Sequence, residues 1–273
     1  KDRIVSTQVK GIRGLFKSWG VHLVEGRGVL AGPRSVEVTK NDGATMLVEA
    51  EKIIIATGSR PAEIKSFPFD GEHILSSDHV LNLMDIPRSM LIVGGGVIGC
   101  EFACFFNALG TDVTIVEMQA RAISTADSEM SALLERELKK KKIRLMTGVS
   151  VTGMERMQDR LGVSLSNGNT VVTEKILVSV GRALNSERLG LEALGIEKGP
   201  RGEITVNESM ETNREGVYAV GDVTGGILLA HVASQEGMVA ASHACGRSAV
   251  MDYAVVPSVI FTTPEIASVG IRE

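Results

Sequence analysis

One glycine-rich segment has the residue types and the spacing that fit the binding of a dinucleotide. The apolar run 90–93 leads into Gly94-Gly95-Gly96-Val97-Ile98-Gly99, in which Gly94, Gly96 and Gly99 have G-x-G-x-x-G spacing. In such a motif the first glycine allows a tight turn, the second lets the backbone approach a diphosphate, and the third lets the next helix pack close to the sheet. The diphosphate then lies on the amides of the helix N-terminus, where the dipole favours negative charge.

A second apolar run, residues 112–116, ends at the acidic residue Glu117. Glu117 follows Gly99 by 18 residues, close to the ~20 expected for an acid that hydrogen-bonds the 2′-hydroxyl of a ribose. Because a carboxylate would repel a 2′-phosphate, the sequence predicts NAD rather than NADP. The alternative is a glycine-rich turn without a ligand, and the frame of strand, helix, strand and acid favours the dinucleotide.

The composition narrows the classes of protein that fit. The 273 residues suit two domains, and 44% hydrophobic residues are ample for their cores. A net charge of −4 gives no electrostatic reason to expect nucleic acid or anionic lipid as a partner. No apolar run approaches the ~20 residues of a membrane-spanning helix.

The cysteines and histidines give no pattern of their own for metal or disulfide chemistry. Three cysteines do not make a disulfide framework, which favours a reducing, cytoplasmic location. Cys100 and Cys104 are four residues apart on the predicted nucleotide helix, so they are either a redox pair or, as we expect, small apolar residues packed against the sheet. The five histidines are scattered without metal-ligand spacing, and we predict no metal site.

Two parts of the chain repeat one plan. In the first, residues 36–48 form alternating apolar strands around an Asn41-Asp42-Gly43 turn, and in the second, residues 163–172 do so around Asn167-Gly168. Each predicted hairpin leads into an apolar run, 53–58 or 176–181, typical of a parallel strand buried on both faces. Such long copies predict a duplicated domain rather than a solenoid.

The repeat also indicates what precedes the first copy. In the second copy the glycine loop precedes Gly181 by 87 residues, so the matching loop of the first copy would lie before Lys1. Residues 11–19 predict the end of an amphipathic helix, and residues 21–26 predict a strand. We therefore expect the sequence to be an interior part of a longer protein.

Five segments, in this order along the chain, resemble the motifs of one enzyme family. They are 56–61 (ATGSRP), 94–103 (GGGVIGCEFA), 180–182 (VGR), 212–213 with 217–222 (TN and VYAVGD), and 261–270 (FTTPEIASVG). The chain resembles the flavoprotein disulfide reductases, or pyridine nucleotide-disulfide oxidoreductases, over essentially its whole length. Leu229-Ala230-His231 followed by Glu236-Gly237 favours the dihydrolipoamide dehydrogenases of that family.

The resemblance implies an α/β fold with two Rossmann-like nucleotide-binding domains, each with a β-meander, and the start of an α+β dimerisation domain. The NAD-binding domain, 87–206, would be inserted in an FAD-binding domain made of 1–86 and 207–256. The dimerisation domain would begin within 257–273, and its apolar residues would be exposed: Val259, Ile260, Phe261 and Val269.

The resemblance also implies a set of residues that bind NAD. Glu101 would lie near the nicotinamide and the flavin as a supporting catalytic residue, paired with a lysine outside this sequence, and the alternative is an exposed helix glutamate. The NAD residues would be Gly94, Gly95, Gly96, Val97, Ile98, Gly99, Glu101, Glu117, Val149 and Gly181.

A second implied set binds FAD. Asp222 would accept a hydrogen bond from a ribityl hydroxyl, with a helix N-cap as the alternative, and Arg27-Gly28 would contact adenine, with a turn glycine as the alternative. Backbone amides of 228–231 would lie under the flavin ring. The FAD residues would be Arg27, Gly28, Thr57, Gly58, Ser59, Asp222, Leu228, Leu229, Ala230 and His231.

The departures from the family decide what this chain can do alone. The redox pair C-x-x-x-x-C and the His-Glu acid–base pair are not among these 273 residues. The implied whole enzyme oxidises dihydrolipoamide with NAD⁺ through FAD and that disulfide, as a cytoplasmic homodimer that can join a 2-oxoacid dehydrogenase complex. Another disulfide reductase or an NADH oxidase is the alternative, and the chain alone would be a non-catalytic NAD-binding module.

Overall fold

In a computed structural model, residues 1–270 are described, and they form two compact units. Unit 1 consists of Lys1–Thr57 and Ser186–Met251. Unit 2 consists of Gly58–Asn185 and the described residues from Asp252 to residue 270. The predicted segment 257–273 is described as far as residue 270, and its last three residues lie outside the description. The predicted boundaries at 86/87, 206/207 and 256/257 separate the FAD-binding, NAD-binding and dimerisation domains, and they stay predictions.

The helices and strands alternate as an α/β chain requires. The helices are α1 (Asp2–Ser18), α2 (Ser77–Val80), α3 (Val97–Ala108), α4 (Ser128–Lys140) and α5 (Ala230–Ala244), with short 3-10 helices at Glu192–Leu194 and Gly221–Thr224. The strands are β1 (Gly26–Gly32), β2 (Ser35–Lys40), β3 (Thr45–Glu49), β4 (Ile53–Ile55), β5 (Ser59–Pro61), β6 (Ile74–Leu75), β7 (Ser89–Val93), β8 (Asp112–Glu117), β9 (Arg144–Thr147), β10 (Val151–Met157), β11 (Arg160–Leu165), β12 (Thr170–Thr173), β13 (Lys175–Val178), β14 (Arg182–Leu184), β15 (Val217–Ala219), β16 (Ser258–Ile260) and β17 (Ile266–Ser268).

Unit 2 is built around a five-stranded parallel sheet. Its strand order is β6-β13-β7-β8-β9, so β7 lies in the centre. Met90, Leu91 and Ile92 of β7 are fully buried, because α3 and α4 pack on one face and the antiparallel meander β10-β11-β12 packs on the other. The prediction that Gly94 to Gly99 joins a central parallel strand to a helix is confirmed.

Two small antiparallel pairs complete unit 2. Strand β5 pairs with β14, and β16 pairs with β17. The expectation that Ile260 is exposed is wrong, because its side chain packs into the core together with Ile266. Val259, Phe261 and Val269 are exposed, as expected.

Unit 1 contains the meander β1-β2-β3 and the parallel pair β4-β15. Its core lies between them and includes Leu30, Ile53, Ile55 and Val217. Helix α1 has no buried residue. The predicted helix end near Trp19 is confirmed, because α1 ends at Ser18 and Trp19 is its C-cap.

The internal repeat is confirmed by the two meanders. In each hairpin turn a glycine adopts a positive φ, 85° at Gly43 and 83° at Gly168. The N–H of Lys40 donates to Ala44 at 2.8 Å, and the N–H of Leu165 donates to Asn169 at 2.9 Å. The two turns therefore close their hairpins in the same way, and each meander leads into a parallel strand, β4 or β13.

Two expectations about strands are wrong. Residues 21–25 form no strand, because no described strand pairs with them: the N–H of Val21 donates to Phe16 of α1 instead, and Val21 and Leu23 are exposed. Strand β4 is not buried on both faces, since Ile54 is 40% exposed. A two-stranded sheet with a core on one side leaves alternate side chains on the other. Among residues 1–270, no helix is both long enough and apolar enough to cross a membrane.

Candidate dinucleotide site

The carboxyl end of β7 lies at a reversal of the strand order in unit 2. The chain runs from β7 through α3 to β8 on one side, whereas β13 pairs with β7 on the other side. At such a reversal the connections leave in opposite directions and open a crevice where ligands bind in open α/β sheets. The glycine loop fills this position, and Ser179 follows β13 next to it.

The glycines of the loop have different structural requirements. Gly94 has φ 106°, and a Cβ there would lie 2.4 Å from the carbonyl oxygen of Ser179. A Cβ on Gly99 would lie 2.0 Å from the carbonyl oxygen of Gly94, so the close packing of α3 requires glycine. Around Gly96 no atom lies within 4 Å of a Cβ position. The fold itself therefore does not require glycine at 96, which fits a position kept open for a ligand.

Helix α3 begins directly behind this open position. Gly96 is its N-cap, and no side chain caps the helix. The first amides of a helix have no carbonyl partner within the helix, so the turn at Val97 and Ile98 can offer its amides to an anion. These residues fit the diphosphate of a dinucleotide.

Glu117 ends β8 beside the loop. Its Oε2 accepts the N–H of Gly95 at 2.6 Å, and its Oε1 accepts the N–H of Gln119 at 2.6 Å. The residue is half-buried. An ionised carboxylate offers about four acceptor positions, so Glu117 retains the capacity to accept ribose hydroxyls while two backbone amides fix its orientation.

Three residues that sequence reasoning did not assign to the site hold the loop in place. The Oγ of Ser179 donates to Gly94 O at 3.0 Å, the N–H of Ile123 donates to Gly95 O at 2.8 Å, and the Sγ of Cys100 donates to Gly95 O at 3.3 Å. Ser179 follows an apolar run that predicts a neighbouring strand, which is a usable signal. The sequence does not predict the role of Ile123, because a β-branched residue rarely adopts a φ of 40° and nothing in the residue type indicates it.

The remaining predicted NAD residues lie in different settings within unit 2. Gly181 follows β13 with φ 119°, and no atom lies within 4 Å of a Cβ position there. Val149 donates its N–H to Glu117 O at 3.0 Å, while its side chain lies in the core. Glu101 is half-buried, and its Oε1 accepts the N–H of Phe261 at 2.8 Å. Their contacts with NAD stay predictions.

The buried cysteines of α3 are free thiols. Cys100 and Cys104 are both buried, as expected for core packing. Burial raises the pKa of the Cys100 thiol from 9.0 to about 12, with smaller contributions from Cys104 and nearby carboxylates. Since the thiolate is the reactive form in disulfide chemistry, this environment disfavours a redox role for the pair.

The predicted FAD residues of unit 1 meet at one edge of its parallel pair. Thr57 follows β4, and Asp222 follows β15 in the turn Gly221–Thr224. Because β4 and β15 are parallel, both lie at the carboxyl edge. The N-cap of that turn is Val220, so the alternative that Asp222 is a helix N-cap is wrong. Residues 228–231 lie at the N-terminus of α5.

A buried carboxylate that the sequence reasoning treated only as a family signature supports this edge. Glu236 of α5 is 1% exposed, and its Oε2 accepts the N–H of Gly221 at 2.6 Å. Gly221 has φ 74°. The hydrogen bond therefore fixes a left-handed residue next to Asp222.

The other predicted FAD residues lie on strands or on unit 2. Arg27 and Gly28 lie inside β1, where Gly28 pairs with Val38, so the alternative of a turn glycine is wrong. Gly58 and Ser59 belong to unit 2, and the Oγ of Ser59 accepts the Nε–H of Arg182 at 2.5 Å. Contact of these residues with FAD stays a prediction.

The resemblance implies NAD and FAD as cofactors, and the residues present fit NAD more completely than FAD. Unit 2 offers the open Gly96, the N-terminus of α3 and the oriented Glu117, which fit NAD. Unit 1 offers an acid and a helix N-terminus at one sheet edge, which fit the flavin end of FAD. Helix α5 of unit 1 begins at Ala230, and the residues before it do not have G-x-G-x-x-G spacing. Within residues 1–270, no three His, Cys, Asp or Glu side chains are grouped so that they could hold a metal ion.

Comparison with known proteins places this arrangement in context. The family model for pyridine nucleotide-disulphide oxidoreductases matches residues 3–237. The crystal structure of LpdA from Mycobacterium tuberculosis superposes with a TM-score of 0.94 at 32% sequence identity, and the match covers 98% of this chain and 60% of that one.

Curated relatives give the same picture at higher identity. Dihydrolipoyl dehydrogenase of Chlamydia muridarum is 41% identical over 273 residues, which cover 99% of this chain and 58% of that protein. Dihydrolipoyl dehydrogenase of Thermus scotoductus is 41% identical over 279 residues, which cover 100% of this chain and 59% of that protein. The chain thus spans somewhat less than three-fifths of the length of these relatives.

Proposed function

Because the chain belongs to the pyridine nucleotide-disulphide oxidoreductase family, we propose that it carries the NAD site of a flavoprotein that passes electrons between a dithiol and NAD. One observation carries this proposal. The glycine loop at the centre of the parallel sheet keeps the face of Gly96 open and has the Glu117 carboxylate hydrogen-bonded to Gly95 at 2.6 Å. That geometry suits a diphosphate and a ribose at adjacent positions.

The substrate that the relatives favour is dihydrolipoamide. Both relatives above carry the name dihydrolipoyl dehydrogenase. The proposed overall reaction is dihydrolipoamide + NAD⁺ → lipoamide + NADH + H⁺. We further propose that the protein acts in the cytoplasm as a homodimer and that a 2-oxoacid dehydrogenase complex is its assembly.

The residues of this chain would bind and orient the nucleotides. The α3 amides would hold the NAD diphosphate, and Glu117 would accept hydrogen bonds from the adenosine ribose and disfavour a 2′-phosphate. Asp222 would accept a hydrogen bond from the ribityl chain of FAD, and the N-terminus of α5 would favour negative charge near the ring. NAD, when bound, supplies the hydride acceptor of the reaction.

A second function applies to the chain taken alone, namely a non-catalytic NAD-binding module. The observation that favours it is the cysteine set: Cys100 and Cys104 are buried, Cys245 is exposed, and none has C-x-x-x-x-C spacing. None of them suits a redox disulfide, so NADH binding is expected without turnover of dihydrolipoamide.

The proposal is tested by titrating the purified chain with NADH and with NADPH while the nucleotide fluorescence is followed. We expect one NADH per chain with micromolar affinity, and at least about tenfold weaker binding of NADPH, since in this proposal the Glu117 carboxylate would repel a 2′-phosphate. Equal affinity for both nucleotides would contradict the assignment of Glu117. Assays with dihydrolipoamide, glutathione and mercuric ion, run on a protein that carries this sequence at the full length of the relatives, would separate the substrates.

A further inference from the structure

The backbone N–H and carbonyl oxygen of Gly95 make three hydrogen bonds to other parts of unit 2. Its N–H donates to the Oε2 of Glu117 at 2.6 Å. Its carbonyl oxygen accepts the N–H of Ile123 at 2.8 Å and the S–H of Cys100 at 3.3 Å. Three chain segments (the end of β8, the loop before α4 and the first turn of α3) therefore fix one residue.

The donor from Ile123 is held at a conformational cost. Ile123 is 1% exposed and has φ 40°, a region that β-branched residues rarely adopt. Strain of this kind persists only where surrounding contacts over-determine the backbone. The strained backbone of Ile123 thus accompanies a hydrogen bond that holds the Gly95 carbonyl in one orientation.

Cys100 donates a second hydrogen bond to the same carbonyl. Its side chain is fully buried and contacts the loop one turn into α3. Burial keeps the thiol protonated, because it raises the pKa to about 12. A protonated thiol can donate a hydrogen bond, whereas a thiolate could not.

We propose that Cys100 is a positioning residue of the NAD site, whose S–H fixes the carbonyl of Gly95 so that Gly96 and the α3 amides face the diphosphate. This rests on the proposed function, because it assigns a role within the same NAD site. The role is steric and electrostatic orientation, and Cys100 does not touch the nucleotide in this proposal.

The chain contains a matched control on the same helix. Cys104 lies one turn further along α3, is buried like Cys100, and packs in the same core cluster. Its Sγ makes no hydrogen bond to the glycine loop among the described contacts of residues 1–270. Cys100→Ala and Cys104→Ala thus remove one buried thiol each, and they differ in contact with Gly95.

The experiment measures the Kd for NADH and the thermal midpoint of the purified chain for the wild type, Cys100→Ala, Cys104→Ala and Cys100→Ser. Cys100→Ala is expected to raise the Kd about three- to tenfold, as for a lost hydrogen bond. Cys104→Ala is expected to lower the thermal midpoint about as much as Cys100→Ala does, because each variant loses one buried thiol. Its Kd for NADH should stay within about twofold of the wild-type value. Cys100→Ser keeps a donor and is expected to restore the wild-type Kd.

The outcomes separate this proposal from the proposed function. Wild-type chain that does not bind NADH would overturn both. Wild-type binding with equal Kd values for Cys100→Ala and Cys104→Ala would overturn only the role of Cys100. If Cys100→Ala does not fold, Cys100→Ser decides: a folded serine variant that binds NADH like the wild type supports the role, and one that binds more weakly overturns it.

Discussion

At the scale of the residue, Glu117 combines a structural contact and a predicted binding contact in one carboxylate. It accepts one amide from the glycine loop and one from its own turn at Gln119. Removing it would therefore disturb the loop as well as the predicted ribose contact. A glutamine in its place keeps an acceptor oxygen and removes the charge, so the two variants report on different parts of its role.

We expect Glu117→Ala to weaken NADH binding by about 1–3 kcal/mol, because a charged hydrogen-bond partner is lost. Glu117→Gln should weaken NADH binding less than Glu117→Ala does. It should also reduce the ratio by which the chain prefers NADH to NADPH. Isothermal titration calorimetry with both nucleotides measures this. Glu129→Ala, on the exposed start of α4, is the control, and an equal loss of NADH affinity there would contradict a local role for Glu117.

The pKa of Cys100 predicts a particular dependence of stability on pH. Burial raises this pKa from 9.0 to about 12, so between these values the unfolded thiol loses a proton that the folded thiol keeps. The contribution to stability is complete below pH 9 and is lost as the pH rises toward 12.

Urea unfolding at several pH values from 8 to 11 tests this. The free energy of unfolding of the wild type should fall more steeply than that of Cys100→Ser above pH 9, by at most about 1.4 kcal/mol per pH unit. Parallel curves for the two proteins would show that the thiol titrates alike in both states.

At the scale of the element, the short edge strand β6 depends on the turn that precedes it. The Oδ1 of Asp70 accepts the N–H groups of Glu72, His73 and Ile74 at 2.9, 2.7 and 2.8 Å, and its Oδ2 accepts from Arg156. Burial alone would raise the pKa of Asp70, but these hydrogen bonds outweigh it and lower the pKa. One side chain thus closes the turn into the parallel sheet.

Asp70→Ala is expected to reduce the free energy of unfolding by about 1–3 kcal/mol, since three amides lose their acceptor. The contribution of the lowered pKa is present above the usual value of 3.8 and is lost as the pH falls below it. Urea unfolding at pH 7 and pH 3 measures both effects. Asp42→Ala, which removes an acceptor for the single amide of Ala44, should cost less, and an equal cost would contradict this account.

Much of this element-level structure follows from local patterns in the sequence. The glycine spacing, the apolar runs and the two turns at Gly43 and Gly168 depend on residues close to one another in the chain, and these predictions are confirmed. The site residues Gly96 and Glu117 follow from the same spacing. Cofactor contacts themselves stay predictions.

Other features depend on contacts between distant segments, which no local pattern encodes. Residues 21–25 contain Val21, Leu23 and Val24, but no described strand pairs with them. Ile260 is buried because it packs with core residues that are distant in the sequence. Ile123 combines a positive φ with a hydrogen bond from its N–H to Gly95, 28 positions earlier in the chain. The hydrogen bond from Cys100 to Gly95 likewise appears only once α3 is packed.

For the molecule taken together, the residues of unit 2 fit NAD better than those of unit 1 fit FAD. This difference predicts which cofactor the purified chain binds. Unit 2 offers a glycine loop, a helix N-terminus and an oriented acid for NAD, whereas α5 of unit 1 does not follow such a loop. We expect the chain to be colourless, to bind NADH and to lack turnover of dihydrolipoamide. An absorption spectrum from 300 to 550 nm and an activity assay check this, and stoichiometric FAD would contradict it.

If the loop from Gly94 to Gly99 holds the diphosphate of NAD, then a methyl group added at position 96 by Gly96→Ala should obstruct binding. A Cβ at 96 would meet no atom within 4 Å, so the variant should fold, with only the small loss of stability expected when alanine replaces glycine at a helix N-cap. The measurement is its Kd for NADH, with Gly11→Ala, an equally open glycine on exposed α1, as the control. We predict that Gly96→Ala raises the Kd at least about tenfold, equivalent to about 1.4 kcal/mol, while Gly11→Ala leaves it unchanged. A folded Gly96→Ala chain that binds NADH as tightly as the wild type would contradict the account.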